Sequence, residues 1–202
     1  MASILDFLDT TKGKEFIQKS SDEVNESPDK VKSALGMALP MLMGAIKKNT
    51  NDAEGAEKLN KELEKDKHNG SVLDNLGGSA ISGLLGEGSG ILEHILGGSQ
   101  SKVANAVGSA IGMDPSKVAK LLKMAAPVVM GILGKQKRKD NVGKGGIQDL
   151  VGSALGSNSS HDQSLLETFL DSDKDGSIAD DVAGKIFGGK DKSKGLGGFF
   201  KG

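Results

Sequence analysis

Two stretches of the chain carry apolar residues at the three-to-four-residue spacing of an amphipathic helix. The first is SPDKVKSALGMALPMLMGAI at residues 27–46, and the second is DPSKVAKLLKMAAPVVMGIL at residues 114–133. At a constant offset of 87, nine of the 20 positions are identical. Ser27 and Asp114 are good N-caps, and each precedes a proline at the first helical position, where a missing N–H is tolerated. The pattern predicts two similar helices that begin at residues 28 and 115.

Each predicted helix contains an internal proline, Pro40 or Pro127. The apolar pattern continues past each proline without losing its phase, which favours one kinked helix with the proline off the buried face. A break into two helices at the proline is the alternative. The expected buried stripes are Val31, Ala34, Leu35, Ala38, Leu39, Leu42, Met43 and Ile46, and Val118, Leu121, Leu122, Ala125, Ala126, Val129, Met130 and Leu133.

The ends of these two units also align with each other. Residues 63–78 resemble residues 170–185 at an offset of 106, so the second unit holds 19 more residues than the first (106 − 87). The extra residues lie within 134–164, where we expect an exposed loop at 134–146 and a further helix. The apolar residues that predict this helix are Ile147, Leu150, Val151, Ala154 and Leu155.

The alignments predict an all-α protein of two diverged helical pseudo-repeats. We place repeat one at residues 1–90, repeat two at 91–188 and a flexible tail at 189–202. Between the two similar helices, residues 76–98 are apolar and rich in glycine, and they predict short helices that pack tightly through their glycines. A membrane-surface helix would need a basic polar face, whereas this stretch carries Glu87 and Glu93.

Composition narrows the class of protein. The formal net charge of −1 argues against a general polyanion binder, and the absence of cysteine excludes disulfides and thiolate metal sites. The N-terminal residues lack the basic region of a secretory signal, and the longest weakly polar run, 76–86, is far shorter than the roughly 20 residues that span a bilayer. We therefore expect no transmembrane segment and a cytoplasmic protein.

The stretch LDSDKDGSIADDVAG, residues 170–184, resembles an EF-hand calcium loop. Such a loop places oxygen ligands at positions 1, 3, 5, 7, 9 and 12, with glycine at position 6 for the sharp turn. Position 12 is Val182 rather than a bidentate glutamate, so a shortened loop would use an acid at position 10 or 11. Because the site looks flexible and rich in carboxylates, Ca²⁺ is expected rather than Mg²⁺. The predicted ligands are Asp171, Asp173, Asp175, Ser177 through its carbonyl, and Asp180 or Asp181.

Half of this motif has a simpler explanation. Ser177 and Asp180 have the spacing of a helix capping box, and the first unit keeps the same spacing in Ser71 and Asp74. The alternative to a calcium site is therefore a solvated acidic turn that starts a helix. At the other ligand positions the first unit has Lys65, Lys67 and Asn69, so we expect residues 65–75 to be a metal-free relative of the loop.

The glycine-rich leucine segments, the two A-x-P-x-x-M-G helices and the G-S-x-x-D-[DN] endings resemble the YidB-like family of uncharacterised bacterial proteins. The resemblance implies an all-helical fold with a homeodomain-like helical arrangement and no known activity. It also implies endings of the form D-x-D-x-D-G-S, which the second unit has and the first unit lacks.

No nucleophile and base have partner spacing, and His68, His94 and His161 lie far apart in the sequence, so we assign no enzyme activity. The leading hypothesis is a calcium-stabilised structural or protein-interaction module with an unknown protein partner or self-association. The alternative is a DNA-binding protein that uses a homeodomain-like arrangement and the basic run KQKRK at residues 135–139. The absence of Trp, Tyr or a nearby Phe for base stacking argues against nucleic acid.

Overall fold

A computed structural model of the protein describes residues 3–76 and 80–156 and, at residues 80–82, the backbone alone. Every regular element in these two ranges is helical, which confirms the predicted all-α class. Short 3₁₀ turns lie at Asp66–His68, Gly97–Ser99 and Lys144–Gly146. The α-helices are α1 (Asp6–Asp9), α2 (Thr11–Val24), α3 (Pro28–Asn49), α4 (Ala53–Glu64), α5 (Ser71–Asp74), α6 (Ala80–Leu96), α7 (Gln100–Ile111), α8 (Pro115–Lys139) and α9 (Ile147–Leu155).

The two predicted long helices are α3 and α8, and both begin where the sequence predicts. Ser27 Oγ accepts a hydrogen bond from the Lys30 backbone N–H at 3.3 Å, and Asp114 Oδ1 accepts one from the Ser116 backbone N–H at 2.7 Å. Each helix continues through its internal proline. The expectation of one continuous helix is confirmed, and the alternative of a break at the proline is wrong.

Helix α8 occupies the centre of the described fold. It packs against α2, α3, α4, α5, α6, α7 and α9, and every residue from 124 to 131 is buried. The prediction that the proline lies off the buried face is therefore wrong for Pro127, because neighbouring helices cover α8 on all sides over residues 124–131. Pro40, on the more peripheral α3, is half-buried.

Helix α6 is one helix of 17 residues rather than the predicted series of short helices. Close packing through a glycine does occur where α6 meets α8. A Cβ atom at Gly88 would lie only 1.7 Å from the carbonyl oxygen of Lys123. That carbonyl lies four residues before Pro127, whose missing N–H leaves it without its usual helical partner. The glycine thus brings a Cα–H to an oxygen that the proline leaves free.

Helix α9 confirms the extra helix that the apolar pattern predicts. Gln148 Nε2 donates a hydrogen bond to the carbonyl of Thr50 at 2.7 Å, which fastens the start of α9 to the turn between α3 and α4. The predicted exposed loop at 134–146 is wrong over its first part, since residues 134–139 form the last turns of α8. The loop begins at Asp140, where exposed residues follow the helix.

Candidate functional site

The predicted calcium ligands, Asp171, Asp173, Asp175, Ser177, Asp180 and Asp181, lie outside the residues that the structure describes, as do Val182 and the predicted tail. Within residues 3–76 and 80–156, no three His, Cys, Asp or Glu side chains form a group that could hold a metal ion. The segment that aligns with the loop, residues 65–75, is described, and it follows α4 and includes the 3₁₀ turn Asp66–His68 and α5.

Residues 65–75 form a tight turn that two asparagine side chains hold closed. Gly70 has a φ of 98°, in the left-handed region that favours glycine. Asn69 Oδ1 accepts a hydrogen bond from the Ser71 backbone N–H at 2.8 Å. Asn75 Nδ2 donates to the Ser71 carbonyl at 3.2 Å. Both polar groups of the Ser71 backbone are therefore satisfied by side chains from either side of the turn.

The predicted capping box is wrong for this segment. The N-cap of α5 is Gly70, and Ser71 is already the first helical residue, so its hydroxyl does not cap the helix. The Asn69 side chain binds the Ser71 N–H that Asp74 was expected to reach. An Asn or Asp side chain commonly bonds the backbone two residues ahead, and here this local bond forms instead of the capping box.

The basic run at residues 135–139 lies in the last turns of α8 and serves the packing of α4. Arg138 donates from Nη2 to the carbonyls of Glu64 and Lys65, both at 3.2 Å, and from Nη1 to the carbonyl of His68 at 3.1 Å. Free carbonyls at the end of a helix are well matched by a cation. Lys137 Nζ pairs with a carboxylate oxygen of Glu64 at 3.3 Å and is largely buried. The prediction of a run in a loop after the helix is therefore wrong.

A cleft of about 940 Å³ opens between α4 and α6. Its apolar lining comes from four helices and consists of Ile46, Leu59, Ile91, Ile95 and Met130. Asn49 Nδ2 donates to the carbonyls of His94 and Ile95, at 3.2 and 3.0 Å, which ties the end of α3 to the end of α6. Five lysines also line the cleft: Lys48, Lys58, Lys61, Lys65 and Lys67.

His68 lines this cleft from the 3₁₀ turn after α4. Its side chain is only 2% exposed, and its Nε2 atom has no hydrogen-bond partner among the described residues. Burial lowers the pKa of His68 to about 4, and the charge of Lys67 acts in the same direction, whereas Glu62 opposes the shift. The imidazole is therefore neutral at pH 7, and its Nε2 atom is buried without a partner among the described residues.

Sequence reasoning missed this site because its walls come from distant segments. His68 and His94 line the same cleft although 26 positions separate them (94 − 68). A histidine within an otherwise charged stretch, KDKHNG, is the available signal, but it does not reveal burial. The cleft combines a hydrogen-bonding nitrogen, positive charge and an apolar surface, which suits it to binding.

Residues 6–136 match a family described as a bacterial protein of unknown function, DUF937. The chain belongs to this family. The matched span holds 131 of the 202 residues (136 − 6 + 1) and includes every residue that lines the cleft. It ends before residues 171–181, so the narrower YidB-like resemblance stays a prediction. Comparison with curated proteins and with solved structures gives no match.

Proposed function

We propose that this member of the DUF937 family is a non-enzymatic interaction module that Ca²⁺ stabilises through residues 171–181. The observation that carries the proposal is the D-x-D-x-D-G-S sequence, which a helix cap does not explain. The geometry of residues 65–75 supports it. In that segment Asn69, at position 5, accepts a hydrogen bond through its side-chain oxygen from the backbone N–H of Ser71, at position 7. Gly70, at position 6, has a positive φ.

The same comparison favours Asp181 as the acid that completes the loop. At the offset of 106, Asn75 aligns with Asp181, and Ser71 aligns with Ser177. The Asn75 amide donates to the Ser71 carbonyl, but an aspartate has no proton to donate at neutral pH. Two acceptor oxygens that meet at this distance repel each other unless a cation lies between them. Calcium, which prefers carboxylate and carbonyl oxygens, would remove that repulsion.

The lysines of the first unit explain why residues 65–75 would lack a metal. Lys65 and Lys67 align with Asp171 and Asp173, and both stand near Glu62. A carboxylate that already faces two ammonium groups has no charge to offer a divalent cation. We therefore propose that the two units are diverged repeats in which one loop binds calcium and the other keeps the turn alone.

The interaction part of the proposal rests on α6. Gly83 and Gly86 lie on an exposed side of the helix, and a Cβ atom at either position would meet nothing within 4 Å. Glycines on a helix surface allow another backbone to approach closely. This face would suit a protein partner or a second copy of the chain. No helix in the described ranges has both the length and the apolar character to cross a bilayer, and the cytoplasmic location stays a prediction.

The test is thermal unfolding of the full chain, followed by circular dichroism in EDTA and then in millimolar calcium. Intrinsic Trp or Tyr fluorescence cannot serve, because the chain has neither residue. A ligand that binds the native state alone at 100 times its Kd adds about 2.7 kcal/mol. Calcium should raise the midpoint of the wild type and leave Asp171→Ala/Asp175→Ala unmoved. Asp181→Asn should weaken the response more than Asp180→Asn does.

An unmoved wild-type midpoint would identify residues 170–184 as a solvated acidic turn and would reject calcium stabilisation. DNA binding through a homeodomain-like arrangement stays a separate prediction. It requires salt-dependent binding to duplex DNA that disappears when the basic run is neutralised. Arg138 already binds backbone carbonyls and Lys137 already pairs with the Glu64 carboxylate, which argues against DNA binding through these two cations.

A further inference from the structure

The end of the cleft beside His68 carries an excess of positive charge. Lys65, Lys67 and Arg138 all act on the His68 ring, and Glu62 is the carboxylate that faces them. Glu62 Oε2 lies 3.9 Å from Lys67 Nζ and 3.9 Å from His68 Nε2. The cleft as a whole is lined by five lysines and by the carboxylates of Asp52, Glu54, Glu62 and Glu87, which leaves a net charge of +1.

The buried nitrogen of His68 points to a ligand independently of this charge. A buried polar atom without a partner is unfavourable by about 1–3 kcal/mol, so native proteins rarely keep one. Nε2 of His68 is such an atom, and its residue lines the cleft. In the tautomer that carries its proton on Nε2, the neutral imidazole can donate to an oxyanion.

The remainder of the cleft is apolar. Ile46, Ile91, Ile95 and Met130 are each less than a tenth exposed, and Leu59 packs beside them. Ligand sites in proteins commonly enclose roughly 300–1,000 Å³, with an apolar lining and a few convergent polar groups. A cleft of about 940 Å³ with this lining has room for an alkyl chain as well as a charged head.

We propose that this cleft binds an amphiphilic anion, a single oxyanion head on an alkyl chain. The head binds beside His68 Nε2 and the ammonium group of Lys67 once the Glu62 side chain turns away from them, and the chain lies against Ile91, Ile95 and Met130. Lys48, which also lines the cleft and whose ammonium group has no hydrogen-bond or ion-pair partner among the described residues, provides a further positive charge. A bare anion would leave the space beside the apolar lining unfilled, and a neutral alkyl ligand would leave the His68 nitrogen unpaired. This inference does not depend on the calcium loop.

The test is isothermal titration of the full chain with decanoate below its aggregation concentration. Acetate supplies the head without the chain, and decyl maltoside supplies the chain without the charge. Gly90→Leu should block the cleft without disturbing the fold, because Gly90 lines it and a Cβ atom there meets nothing within 4 Å. Gly86→Leu is the matched control, since Gly86 lies on the same helix, is equally unobstructed and does not line the cleft.

Decanoate should bind the wild type and Gly86→Leu with equal affinity, and Gly90→Leu should lose at least about tenfold. Loss of a hydrogen bond to a charged group weakens binding by roughly tenfold, and we expect this for His68→Phe. Lys67→Gln, at an exposed position, should weaken binding by about threefold, whereas Lys120→Gln on the outer side of α8 should have no effect.

Three results would overturn the proposal. The first is no decanoate binding to the wild type, and the second is equal binding to Gly90→Leu and Gly86→Leu. The third is binding to vesicles of anionic phospholipid without binding to monomeric decanoate, because this would indicate attraction to a membrane surface rather than a ligand in the cleft. Circular dichroism of each variant separates lost binding from lost structure.

Discussion

The burial of His68 predicts that the protein loses stability in mildly acidic solution. The pKa of this histidine is about 4 in the folded chain, against 6.5 for an ordinary histidine. As pH falls, the unfolded chain therefore takes up this proton first, and protonation favours unfolding. The stabilisation is fully present above pH 6.5 and is lost as the pH falls from 6.5 toward 4.

The size of the effect follows from the two pKa values. At pH 5 the unfolded imidazole is mostly protonated and the folded one mostly neutral, which lowers the free energy of unfolding by about 2 kcal/mol relative to pH 7.5. For a chain of this length, that corresponds to a fall in the midpoint of thermal unfolding of about 4–8 °C. Measurements should stay at or above pH 5, because carboxyl groups with lowered pKa values, such as Glu57 with a pKa of about 2, affect stability at lower pH.

The assay is urea unfolding followed by circular dichroism at 222 nm between pH 7.5 and pH 5. His68→Gln should remove most of the dependence on pH, and His94→Gln, at an exposed position on the same cleft, should leave it unchanged. The reasoning is refuted if His68→Gln and the wild type lose equal stability over this range. Titration of the His68 ring by NMR would then give a pKa near 6.5 in the folded chain.

Three further substitutions, two of them with a matched control, test how the helices are held together. Gly88→Ala should lower the free energy of unfolding by about 2–3 kcal/mol, because its Cβ would lie 1.7 Å from the Lys123 oxygen and α6 would have to move away from α8. The control Gly86→Ala should raise the free energy of unfolding by about 0.5–1 kcal/mol. Equal effects of the two substitutions in urea unfolding would contradict the close approach of α6 to α8. Arg138→Lys should lower the free energy of unfolding by about 1–2 kcal/mol, since one ammonium group cannot reproduce hydrogen bonds to three carbonyls. The control Lys139→Ala should change the free energy of unfolding by less than about 0.5 kcal/mol. Lys144→Gln should leave the midpoint of thermal unfolding almost unchanged although Lys144 lowers the pKa of Glu57, because this pair is exposed to solvent. A shift of several degrees would contradict this explanation.

Periodicity and capping residues predict individual helices well in this chain. The starts of α3 and α8 follow from a cap and a proline, and α9 follows from five apolar residues at helical spacing. These signals are local, and the interactions that form them lie within a few residues. The burial of Pro127 could not be predicted in this way. The apolar stripe of a helix shows that one face is buried, but it does not show whether other helices cover the remaining faces.

Contacts between distant segments account for the rest of what sequence reasoning missed. Arg138 reads as part of a solvated basic run, yet it binds carbonyls about 70 positions earlier in the chain. The sequence predicts a capping box at Ser71, but the Asn69 side chain binds the Ser71 backbone N–H and the capping box does not form. The cleft exists because α4, the turn after it and α6 line the same space, and no short sequence pattern predicts this arrangement.

The central position of α8 has a consequence for how the chain folds during synthesis. Seven of the other described helices pack on α8, and six of these, α2 to α7, are made before its first residue. Until residues 115–139 have been made, the apolar faces of those helices have no common surface to cover. Folding therefore waits for contacts of long sequence separation, and the nascent chain is exposed to aggregation during that interval. A chain that ends before residue 115 should accordingly be captured by chaperones, whereas one that extends past residue 139 can close its core.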